Sequence, residues 1–143
     1  GLLRDQPQPG ADQPQGPRRL GLRATMEPRC WTVNKFGGTS VASADCYRKV
    51  AKIVTDVING DSQLRMAVVV SAMGGKPKVT DMLLQSVHAA AGGDMARADE
   101  LLETVKTKYC NCIGELLGGT GRDEKLIAII ESDINDLTEI LHA

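Results

Sequence analysis

Two short apolar runs flank one amphipathic stretch, and that order constrains the fold of this chain more than any other feature. WTVNKF at 31–36 reads as a strand, stopped by Gly37 and Gly38. SADCYRKVAKIVTDVIN at 43–59 reads as a helix. Ser43 is its candidate N-cap, and Cys46, Val50, Ile53, Val54, Val57 and Ile58 form an apolar stripe at spacings of three and four. Gly60 stands where a C′ glycine would close it. MAVVVSAM at 66–73 is a continuous run rich in β-branched residues, as expected of a strand covered on both faces; GGKPK ends it. Strand, helix and strand in this compass make a βαβ unit, so the two strands are expected to be parallel with a right-handed crossover. The loops after both strands then emerge at one carboxyl edge, where open α/β sheets bind ligands.

Three helical stretches follow, at 80–91, 94–117 and 123–142. The second carries Leu101, Leu102, Val105, Tyr109, Cys112, Ile113, Leu116 and Leu117, and the third Ile127, Ile130, Ile134, Leu137 and Leu141, with acidic residues on their other faces. The expected class is α/β, an open and mainly parallel sheet with flanking helices. Two strands are fewer than a sheet of ordinary size, so the sequence reads as cut short inside a domain. Residues 1–29 differ from the rest: they hold five of the six prolines, four glutamines and five arginines. Such a segment buries too little apolar surface to offset its ordering entropy and is expected to be a disordered leader or linker before a domain at 30–143. It has no initiator methionine, so the chain is a fragment or starts at Met26. Asp5, Asp12 and Glu27 fit poorly with the acid-poor composition of transit peptides.

Composition excludes several classes of function. A net charge of −1 gives no field that would draw nucleic acid or a membrane surface. Trp31, Phe36, Tyr47 and Tyr109 are the only aromatics, too few for a base-stacking platform. No apolar run approaches the ~20 residues of a membrane helix, so a soluble protein is expected. Cys30, Cys46, Cys110 and Cys112, with no secretory signal, point to free thiols in a reduced compartment, cytoplasm or plastid stroma. Cys110 and Cys112 lie two apart in a helical run, about 200° from each other, so they do not grip one ion and read as structural thiols. His88 and His142 have no obvious partner and read as structural or surface residues.

The chemistry sits in the two loops. Lys35 ends the first strand, Gly37 and Gly38 let backbone approach a ligand, and Thr39 and Ser40 add hydroxyls before a helix. Amides, helix dipole and ammonium together favour an anion. The order is neither the P-loop, because the lysine precedes the glycines, nor G-x-G-x-x-G. On these residues alone, Lys35 is equally a strand-end lysine reaching solvent beside a tight turn. The second loop offers Ser71 and Thr80, whose hydroxyls suit a small polar substrate, although Thr80 also reads as a helix N-cap. Lys76 and Lys78 read as solvated loop charges.

VNKFGGTSV at 33–41 resembles the signature of aspartate kinases, and VVVSAMGGKPKVTDMLL at 68–84 resembles their second substrate loop, with about three extra residues around 74–77. The K-V-T-D-M form is most similar to the kinase part of bifunctional aspartokinase–homoserine dehydrogenases. The resemblance implies an amino-acid-kinase fold and ATP-dependent phosphorylation of the aspartate side chain, in the synthesis of lysine, threonine and methionine. It implies Lys35 as the catalytic cation; Gly37, Gly38, Thr39 and Ser40 with Lys35 on the phosphates of ATP; and Ser71 and Thr80 on aspartate. It implies Mg²⁺ as well, with no protein ligand for it in this chain, and a homo-oligomeric full-length protein whose partners are the small molecules aspartate and ATP. Since the family's substrate-ammonium glutamate and most of its nucleotide site come later, this chain alone is expected to be inactive. The competing reading is a helical interaction module without catalysis.

Overall fold

The computed structural model describes residues 31–61 and 64–143; the expected leader and Cys30 lie outside them. The element order is β1 (Trp31–Phe36), a 3-10 turn (Gly38–Val41), α1 (Ala44–Gly60), β2 (Arg65–Val70), α2 (Val79–Ala91), α3 (Met95–Leu117) and α4 (Arg122–His142). β1 and β2 are parallel, with Trp31 opposite Arg65, Lys35 opposite Val69 and Phe36 opposite Val70. The protein is thus α/β, mostly helical, with a two-stranded parallel sheet among the described residues.

The helix starts follow from their caps. The Ser43 side chain accepts from the Cys46 amide at 3.3 Å, and Asp94 accepts from the Arg97 amide at 3.1 Å, each satisfying a first-turn donor that has no partner within its helix. Thr80 is not a cap: α2 begins at Val79 after Lys78, which supplies no side-chain bond, and Thr80 lies inside the first turn. Gly60 is not a C′ residue either. It belongs to α1, and the chain leaves through Asp61 in an extended conformation rather than through a left-handed glycine. A left-handed glycine, Gly121, instead precedes α4, at φ 70°.

The core lies among the helices, not on the sheet. Met73, Val79, Met82, Leu101, Leu102, Val105, Cys112 and Ile134 pack together, with Tyr109 and Ile130 against them. Leu102 is only 1 % exposed, the kind of position whose truncation to alanine costs about 2–5 kcal/mol. Ser86 is buried here too, and its hydroxyl donates to the Leu83 carbonyl at 2.8 Å. Cys112 joins this core as a small apolar group, in line with the structural-thiol reading. Arg48 ties α1 to the end of α3 by donating to the Glu115 carbonyl at 2.6 Å.

Further expectations change. The 66–73 run is a strand only to Val70, because Ser71 makes the last bond across to Phe36 and Met73 then turns into the helical core. β2 is not covered on both faces: Val68, Val69 and Val70 are 42 %, 48 % and 52 % exposed. The α1 stripe is likewise buried only in part. Val50 is inside, but Ile53, Val57 and Ile58 remain exposed, because no described element packs over the last turns of that helix. His142 also has a partner, its Nε2 lying 2.8 Å from Asp99 Oδ1. None of the described helices is long and apolar enough to cross a membrane.

Candidate active site

The parallel pairing brings the two loops together. Gly37 opens the first in extended backbone, φ −75° and ψ 172°, and its carbonyl accepts from the Ser40 amide at 2.9 Å. The second loop crosses directly above it: the Ser71 amide donates to the Phe36 carbonyl at 3.0 Å and the Gly74 amide to the Gly38 carbonyl at 3.1 Å. The contact leaves no room for a side chain on Gly74. A Cβ on Gly74 would stand 2.3 Å from the Gly38 oxygen, whereas one on Gly37 would meet nothing within 4 Å. The glycines therefore have different duties, since Gly74 is required by the meeting of the loops and Gly37 by nothing in the fold.

Above this junction lies a cleft of about 550 Å³. Gly38, Thr39, Ser71 and Thr80 line it, so four of the seven residues picked from the sequence converge. Lys35, Gly37 and Ser40 lie outside the lining. Lys35 is exposed near the end of β1, and its side chain makes no hydrogen bond or ion pair with the described residues. Ser40 borders a neighbouring hollow of about 360 Å³ with Cys46 and Lys49, and Thr39 borders both. The Ser43 hydroxyl beside the Cys46 thiol lowers its pKa, with Lys49 acting in the same direction. Burial instead pushes the Cys110 and Cys112 thiols up.

Lys76 and Lys78, read from the sequence as solvated loop charges, also line the cleft. They are solvent-exposed, yet they form one wall, and none of the described lining residues is Asp, Glu or His. The start of α2 opens here as well, with no side-chain cap on its first-turn amides. Hydroxyls, two ammonium groups and a helix N-terminus make a place for a polyanion. The fit differs for the two groups that the kinase resemblance implies. Phosphates match this lining; Mg²⁺ does not, for it prefers carboxylate and water oxygens and the lining offers no carboxylate.

The remaining contributor comes from α3. Lys108 Nζ donates to the carbonyls of Gly74, at 2.6 Å, and Pro77, at 2.5 Å. No local pattern marks it, since it is a lysine in mid-helix more than thirty residues downstream of both carbonyls.

Comparison with known proteins agrees with the loops. The family model described as Amino acid kinase family matches residues 31–138. The chain is 36 % identical over 115 residues to a chloroplastic bifunctional aspartokinase/homoserine dehydrogenase 1 of Arabidopsis thaliana, a match covering 79 % of this chain and 11 % of that protein. It is 34 % identical over 113 residues to a chloroplastic bifunctional aspartokinase/homoserine dehydrogenase 2 of Zea mays, again 79 % and 11 %. With bifunctional aspartokinase/homoserine dehydrogenase 2 of Escherichia coli the identity is 30 % over 114 residues, 73 % and 13 % of the two chains. The chain thus spans about a tenth of the length of these curated relatives. The match runs through both loops and the helices behind them, and on it the chain belongs to the amino acid kinase family.

Proposed function

We propose that the cleft is the phosphoryl-transfer site of an aspartate kinase, which converts ATP and L-aspartate to ADP and 4-phospho-L-aspartate. The observation that carries this reading is the convergence of Gly38, Thr39, Ser71 and Thr80 on one cleft with Lys76 and Lys78. The names of the similar proteins favour aspartate among the acceptors an amino acid kinase could use. So does the chemistry of the lining. A carboxylate is already ionised at neutral pH and needs no general base, and the described lining contains no Asp, Glu or His to act as one.

In this mechanism ATP supplies the transferable γ-phosphoryl group. Ser71 and Thr80 hold aspartate by their hydroxyls, so that one side-chain carboxylate oxygen faces the phosphorus. The amides of Gly37 and Gly38 and the hydroxyls of Thr39 and Ser40 hold the phosphates, and the open space beside Gly37 admits close approach. Lys35, catalytic in this reading, swings its flexible stem from the strand end to the mouth of the cleft and offsets charge on the transferring group. The new O–P bond forms as the bond to the ADP oxygen breaks, and no proton has to move. Positioning and charge stabilisation suffice for such a step. No step is assigned to Mg²⁺.

The chain by itself is proposed to bind these anions without turning them over. Free thiols favour a reducing compartment, and the chloroplastic relatives favour the plastid stroma over the cytoplasm. The test grafts residues 31–138 in place of the matching segment of the Escherichia coli relative. Aspartate-dependent ADP release is expected, and Lys35→Ala should lower it by about 10²–10³-fold while leaving the fold intact. Turnover within a few-fold after that substitution would overturn the role of Lys35.

A further inference from the structure

The second loop is held from behind. Its neck is closed by the Val79 amide, which donates to the Met73 carbonyl at 3.2 Å. Inside the loop, the Lys108 ammonium binds the carbonyls of Gly74 and Pro77. Gly75 bends between them with a left-handed φ of 87°, and a Cβ there would stand 3.4 Å from the Lys108 nitrogen. Lys108 borders the hollow on the α3 side of the loop, together with Lys76 and Pro77, and is not part of the cleft lining. Its charge is therefore directed at loop carbonyls rather than at a ligand. The same loop meets Gly38 through the Gly74 amide and carries Lys76 and Lys78 along the cleft wall.

We propose that Lys108 is a positioning residue for this site: by clamping two carbonyls it fixes the 74–77 loop, and with it the cationic wall, against the first glycine loop. The inference rests on the phosphoryl-transfer reading of the cleft. It assigns a task to the extra residues around 74–77, which supply the two carbonyls, the left-handed glycine and Lys76. Charge-assisted bonds from an ammonium are among the stronger ones, and a loop with few apolar contacts of its own depends on them.

The test compares the 143-residue chain with its Lys108→Met and Lys108→Arg variants. Methionine keeps the apolar stem and removes the charge; arginine keeps two donors. Three quantities are read: amide exchange at Gly74 and Val79, affinity for inorganic triphosphate, and the melting temperature. Lys108→Met is expected to speed exchange at both amides about tenfold and to weaken triphosphate binding about tenfold. Exchange in the middle of α3 and the melting temperature should stay near those of the unsubstituted chain. Lys108→Arg should restore most of both losses. Unchanged exchange at Gly74 and Val79 in Lys108→Met overturns the clamp, as does acceleration spread evenly over α3, which marks a purely structural role. Triphosphate binding that Lys108→Met leaves unchanged overturns the positioning role alone. Absence of binding by the unsubstituted chain overturns instead the reading of the cleft on which the role rests.

Discussion

The amide of Gly74 donates to the carbonyl of Gly38 at 3.1 Å, and with the bond from the Ser71 amide to the Phe36 carbonyl it joins the two loops that make the cleft. The contact brings Thr39 of the first loop and Thr80 of the first turn of α2 to the same cleft. The backbones approach so closely that Gly74 has no space for a side chain, and the hydroxyls and lysines of the site are arranged around that contact.

Substitutions at the glycines should separate folding from ligand approach. Gly74→Ala drives a methyl group into the Gly38 carbonyl and is expected to cost about 1–3 kcal/mol, with loss of anion binding. Gly37→Ala meets open space in backbone that any residue adopts, and should change stability by less than about 0.5 kcal/mol while weakening phosphate binding. Urea unfolding of the two variants beside triphosphate titration distinguishes the two roles.

The stability of the helical layer should follow its caps and its core. Leu102→Ala is expected to cost about 2–5 kcal/mol and Ser43→Ala about 1 kcal/mol, measured by chemical denaturation. A Ser43 variant as stable as the parent would show that another group satisfies the Cys46 amide.

The three described cysteines should react in a set order. With its pKa lowered by the Ser43 hydroxyl, Cys46 holds its thiolate to lower pH than Cys110 or Cys112, both pushed up by burial. As pH is raised from neutrality, iodoacetamide labelling followed by mass spectrometry should modify Cys46 before Cys110 and Cys112. Ser43→Ala should shift the onset of its labelling to higher pH.

Much of the fold was legible in the sequence because local chemistry determines it. Ser43 announces its helix by capping, and the β-branched runs at 31–36 and 66–70 pair in parallel as the βαβ order requires. The convergence of Thr39, Ser71 and Thr80 follows from that pairing. What the sequence misjudged depends on non-local packing. The apolar tail at Met73 reads as strand, yet it serves the helical core. Ile53, Val57 and Ile58 read as buried by spacing alone, but spacing says nothing of what packs over them. Lys108 is invisible because its partners are two carbonyls remote in the chain, and carbonyls carry no residue signature. Lys76 and Lys78 are exposed as expected, but only the fold shows that they face the same cleft as the hydroxyls.

The central claim is that phosphates and aspartate bind where the two loops meet. Its most direct test is an amide-resolved NMR titration of the 143-residue chain with ATP and aspartate, up to about 10 mM to capture weak binding. The expected result is saturable shifts centred on Gly37, Gly38, Thr39, Ser71, Gly74 and Thr80, with little change in α4. Shifts centred elsewhere, or none at those residues, would contradict it.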